Sequence, residues 1–126
     1  MDSETTTDVP PAGPAPGAVN LPHAATELLQ SAHSSSAGRA GRTLVTGAGA
    51  PLKQSLLALV AGRSLADHES PAAATLQVIS GVVRLTGGGQ HDVELHAGDH
   101  AAIPPLRHGL DALEDAVVLI SVAQGR

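Results

Sequence analysis

The chain has 126 residues, 42% hydrophobic and 15% charged, which favours one globular domain over a disordered chain and is too short for two domains that each fold alone. Phe, Trp and Tyr are absent, so there are no stacking platforms for single-stranded nucleic acid, and seven Lys plus Arg within a net charge of -5 form no basic stripe for a phosphate backbone. The lack of cysteine removes disulfides, thiol catalysis and thiolate metal sites together, leaving any metal to histidine and carboxylate.

Residues 1–20, around Pro10, Pro11, Pro14 and Pro16, have a linker-like composition and are expected to be a disordered tail. Their acidic start lacks the basic and apolar stretches of a secretory signal, and no apolar run reaches membrane-spanning length. A cytoplasmic protein with no membrane partner is the expectation. From Leu21 to Ala37, LPHAATELLQSAHSSSA places Leu21, Ala25, Leu28, Leu29 and Ala32 near one face at helical spacing before dissolving into serines. A short helix that covers a sheet or packs on a partner subunit fits, with His23 and His33 facing solvent. The division is therefore a tail over 1–20, a helix and linker over 21–41, and an all-β domain over 42–126.

After Gly41, β-branched and leucine runs alternate with Gly and Pro punctuation. Strands are predicted at 42–46, 53–61, 64–69, 75–80, 82–86, 92–95, 100–104, 108–113 and 116–123, a spacing that means a sandwich or barrel. KQSLLALVA at 53–61 is compatible with a helix by composition, but Gly62 and the strand-rich context favour a strand. GGG at 87–89 reads as a hairpin tip, and the Gly-rich segment 46–54 as a turn, since it lacks the spacing of a dinucleotide or phosphate loop. There is no Gly-x-Ser-x-Gly elbow for a serine nucleophile. Glu114 and Asp115 read as a polar tip before the last strand, supplying solubility.

The segment SGVVRLTGGGQHDVELHAGDHAAIPPLRHGLDAL resembles the heart of the cupin family, whose barrel has a Gly-Asp turn leading into a strand that ends at Pro and then a His. Gly98 and Asp99 make that turn, Ile103 and Pro104 close the strand, and His108 falls where the second motif carries its metal-binding histidine. Upstream, Gly62, His68 and Gly81 match the first motif, so the resemblance covers roughly residues 43–123 and implies a jelly-roll β-barrel. It also implies what has been lost. Ser70 stands at the second histidine of the family's His-x-His, and Ala74 or Thr75 at its glutamate, while Pro104 to His108 is one residue shorter than the usual spacing.

A divalent metal wants three or four N and O ligands converging from a rigid scaffold, and His68 with His108 supplies two. His100 shares a strand face with Ala102 and Pro104, opposite Ala101 and Ile103, so an inward Ile103 places His100 outside. Asp67 and Glu69 flank His68 and belong to the other face by the same alternation; His91 and His96 lie on or beside hairpin turns and receive no role.

Three functions follow. The first is a sensing or regulatory barrel that binds a small molecule without strong metal dependence, with His68, Ser70 and His108 as polar contacts and Leu76, Val78 and Ile103 as apolar lining. The second, implied by the resemblance, is a metal-dependent oxygenase, isomerase or lyase holding Fe, Mn, Zn or Ni on His68 and His108. The third is a structural homodimer, because a sheet rich in Val, Ile and Leu often buries one face against a second copy. A homodimer is compatible with the other two as well.

Overall fold

The computed structural model describes residues 17–45, 49, 51–68, 73–87, 91–104 and 107–123, without the side chains of Asp67 and His68. Most of the expected tail therefore lies outside the described residues, as do Glu69, Ser70 and the turn beyond Gly87. No described helix is long and apolar enough to cross a membrane.

Helix α1 (Leu21–Ser34) starts where Pro22 and the Asn20 side chain favour a first turn: Asn20 Oδ1 accepts the His23 amide at 2.9 Å. It stops in the serine run. Ser31 and Ser34 bond back to carbonyls four residues earlier, and Ser35 is already extended.

The nine expected strands are present among the described residues as β1 (Arg39–Val45), β2 (Leu52–Leu59), β3 (Ser64–His68), β4 (Ala74–Ser80), β5 (Val82–Gly87), β6 (Val93–His96), β7 (His100–Ile103), β8 (His108–Ala112) and β9 (Ala116–Ala123). Strand β1 begins three residues before the expected boundary at 42, because Arg39 already pairs with Leu59 and the strand runs the length of its β2 partner. All pairings are antiparallel. Order β1-β2-β9-β4-β7 makes a five-stranded sheet and β3-β8-β5-β6 a four-stranded one.

Between the sheets lies an aliphatic core. Leu59, Leu76, Val78, Ala116 and Val118 come from the larger sheet and Val83, Leu85, Leu95, Leu110 and Ala112 from the smaller. The other face of the larger sheet is covered by α1, whose Ala24, Ala25, Leu28 and Ala32 bury Leu56, Ala58 and Val117. Strands β2 and β9 are thus apolar on both faces, which explains why Leu56 to Leu59 and Ala116 to Ile120 read as continuous runs rather than alternating ones. The apolar face of the larger sheet is thus covered in part by the chain's own helix.

Asp115 is more than a solubilising tip. Its Oδ1 accepts the Ala61 amide at 2.8 Å and its Oδ2 lies 2.6 Å from His33 Nε2, tying the β8–β9 turn to the β2–β3 turn and to the last turn of α1. His33 is half-exposed, as expected, yet it is engaged; His23 is exposed, with its Nε2 3.4 Å from Glu27. The Ala61 amide first, and the His33 hydrogen bond second, hold the Asp115 carboxyl below its ordinary value of 3.8. A lowered folded pKa contributes stability that is fully present above the unfolded value and lost as pH falls through the folded one, below 3.8. Asp115→Asn is accordingly expected to cost about 1 kcal/mol at pH 7, the scale of one or two part-exposed hydrogen bonds. The deficit relative to the parent should shrink as urea titrations move from pH 5 to about pH 2.5; a pH-independent deficit would mean that the carboxylate's charge is irrelevant to the contact.

Candidate functional site

The two ends of the barrel are filled differently. At one end Leu59, Val78, Val83, Leu95, Ala112 and Ala116 close the interior with buried side chains. At the other, where β4 and β8 begin and β7 and β9 finish, a cavity of about 110 Å³ remains, lined by Leu65, Ala74, Leu76, Leu85, Ile103, His108, Leu110, Ile120 and Val122. Sheet register assembles this wall: Ala74 stands between Ile103 and Val122 on its two neighbours, Leu76 opposite Ile120, and Leu85 opposite Leu110.

His108 is the polar member of the wall and, at 4% exposure, the one polar residue among the buried described residues. On one side it is paired with Gly87, where an added Cβ would come within 2.8 Å of the Arg107 carbonyl and 3.2 Å of the His108 Cα, so glycine lets the strands approach. On the other side the β3–β8 register shifts after Leu65, and His68 stands opposite His108. The structure therefore brings the backbones of the two expected histidines side by side.

Of the other expected contacts, Leu76 and Ile103 line the cavity and Ser70 lies outside the described residues. Val78 does not line it. It is fully buried one layer deeper, where its backbone binds the Gly98-Asp99 turn: the Val78 amide donates to the Asp99 carbonyl and the Val78 carbonyl accepts from Gly98. Ala101 and Ile103 pack on the core while His100 is exposed, which settles the facing of β7 and removes His100 from the interior. His91 is exposed, and His96 pairs with Glu94 at 2.8 Å on the surface.

Five further aliphatic wall residues, Leu65, Leu85, Leu110, Ile120 and Val122, were not singled out by the sequence reading, although alternation along β9 from Ala116 and Val118 points to Ile120 and Val122.

Among the described residues the wall offers one metal-ligating side chain, His108. Of the two positions that the resemblance assigns to the motif's carboxylate, Ala74 presents a methyl to the cavity and Thr75 falls on the opposite face of β4. The resemblance adds His68, whose backbone stands opposite His108, and a divalent metal needs three or four ligands in all. Among the described residues no three His, Asp or Glu are grouped to hold a metal ion.

No protein-family model matches the chain, and no curated protein matches it. Solved structures do. An RmlC-like cupin protein from Desulfovibrio desulfuricans is similar with a TM-score of 0.57 at 21% identity, covering 68% of this chain and 81% of its own. An HTH_3 family transcriptional regulator from Vibrio cholerae gives 0.60 at 22%, covering 70% of this chain and 52% of its own. The DMSP lyase DddQ from Ruegeria pomeroyi gives 0.60 at 20%, covering 68% and 47%. The chain thus spans about half the length of the regulator and of the lyase. A regulator and an enzyme share this architecture, so likeness at this level speaks to the fold and not to the chemistry. With its two facing antiparallel sheets, Gly-Asp turn and β8 histidine, the chain has the fold of a small RmlC-like cupin, a jelly-roll barrel preceded by one short helix.

Proposed function

We propose that this barrel is a cytoplasmic binding module, holding a small molecule in the cavity beside His108 for sensing or regulation, without strong dependence on a metal. The observation that carries this reading is the wall itself: eight aliphatic side chains and one imidazole, the proportion of apolar surface to placed polar groups that small-ligand pockets show. The likeness to a transcriptional regulator accords with a sensing role. The methyl of Ala74 at the carboxylate position weighs against the reading in which His68 and His108 hold Fe, Mn, Zn or Ni for catalysis.

Elemental mass spectrometry of the full chain, purified without a histidine tag, tests the choice. Metal well below one equivalent per chain is expected, unchanged after exposure to Fe, Mn, Ni and Zn salts and dialysis. Close to one metal per chain, lost in both His68→Ala and His108→Ala, would overturn the proposal in favour of the metal-dependent enzyme.

A further inference from the structure

We infer that α1 is a detachable cover, which lifts and melts as a unit while the barrel stays folded and so uncovers a concealed apolar face of the larger sheet. The division of the apolar residues carries it. Leu59 and Val118 belong to the barrel interior while their chain neighbours Ala58 and Val117 pack under the helix, and among the described residues none belongs to both clusters. Lifting α1 therefore takes no side chain out of the barrel core.

The ties that hold the helix are small. Of its buried residues, Ala24, Ala25 and Ala32 each bring a single methyl and Leu28 is the one large side chain, so the apolar area that fixes α1 is modest beside that of the barrel interior. Its backbone hydrogen bonds are internal, its N-cap is Asn20, and its last turn closes through the Ser35 amide on the Ala32 carbonyl, so lifting it breaks no sheet ladder. Among the described residues, His33 with Asp115 is the one side-chain hydrogen bond that joins α1 to the barrel. Opening has a defined consequence. Leu56, Ala58 and Val117, with Ile79 and Leu119 at their margin, would form an apolar strip across β2, β9 and β4. A lifted helix of 14 residues is marginal on its own in water, so its amides exchange whenever it opens.

The test is native-state hydrogen exchange of the full chain, followed residue by residue by NMR over a series of low urea concentrations. Amides of Leu28 to Ala32 are expected to be protected, yet at least about a hundredfold less than those of Val117 to Leu119. Their exchange should depend only weakly on urea, because lifting one helix exposes little surface. Val83→Ala separates the two units. Val83 is fully buried in β5 of the smaller sheet, across the barrel from α1, so its truncation weakens the barrel by at least about tenfold while leaving the helix contacts as they are. Exchange in β9 should accelerate by that factor, while exchange in α1 stays within about twofold of the parent.

Equal protection and equal urea dependence in α1 and β9 would overturn the proposal. Acceleration of both by the same factor in Val83→Ala would do so too, because either result makes helix and barrel one cooperative unit. Unprotected α1 amides in the parent would overturn it from the other direction, since the cover would never be closed. The parent's urea series decides the question by itself, so a Val83→Ala variant that fails to fold does not remove the test.

Discussion

Gly81→Ala is expected to destabilise the protein by about 3–5 kcal/mol and to lower its midpoint of thermal unfolding by at least about 12 °C. Gly81 is the hinge at which the chain leaves β4 of one sheet and enters β5 of the other. Its φ of +81° is in the left-handed region, which costs an alanine about 1–2 kcal/mol. The larger part is steric. A Cβ there would sit 2.0 Å from the Asp115 carbonyl oxygen and 2.7 Å from the Ala116 Cα, both backbone atoms that cannot rotate away. Gly98→Ala provides the control, since its φ is +92° and an added Cβ meets nothing within 4 Å. It should lose only the conformational part, about 1–2 kcal/mol. Circular dichroism melts of both variants separate the two contributions, and equal losses would show that the β8–β9 turn yields to the added methyl.

That hinge illustrates how the fold became legible from sequence. Gly62, Gly81 and Gly98 all have positive φ, so the turns that set the resemblance to cupins are conformational requirements written in residue type. Strand β9 was bounded at both ends by sequence because a polar pair precedes it and its interior is apolar throughout. Strand β2 left a helix open for the same reason. An element buried on both faces loses the alternation that marks a strand, and only the position of α1 over Leu56 and Ala58 explains the pattern.

The site was less legible. Alternation restricts β7 to two facings, but choosing Ile103 over His100 for the interior requires knowing which face the core occupies. Alternation also puts Leu76 and Val78 on one face without saying how deep each lies, and the cavity ends at the layer of Leu76. The Asp115 contacts were out of reach altogether: His33 is 82 residues away in sequence, and no local pattern links an amphipathic helix's last turn to the tip of a distant hairpin.

Ala74→Glu carries the second large effect, and it bears on function. At 8% exposure, with Ile103 and Val122 as cross-strand neighbours, a carboxylate at position 74 would be desolvated without a cation from the described wall. A loss of about 3 kcal/mol at pH 7 is expected. Desolvation raises the folded pKa of such a group above its unfolded value near 4.3, so the penalty is present at neutral pH and recedes as pH falls through the folded pKa toward the unfolded one. Denaturant titrations at pH 7 and pH 4.5 should therefore show the gap to the parent narrowing.

Adding Ser70→His tests the ancestry of the site, because the resemblance to cupins assigns position 70 to the second histidine. With His68, His108 and Glu at 74, the chain would then hold three nitrogens and a carboxylate. Zinc, nickel or manganese at about a hundred times the dissociation constant would restore about 2.7 kcal/mol, while the parent melts unchanged. A folded double variant whose melting ignores all three metals would break the first-motif alignment. Ala74 would then be a wall residue whose small size serves only to leave the cavity open.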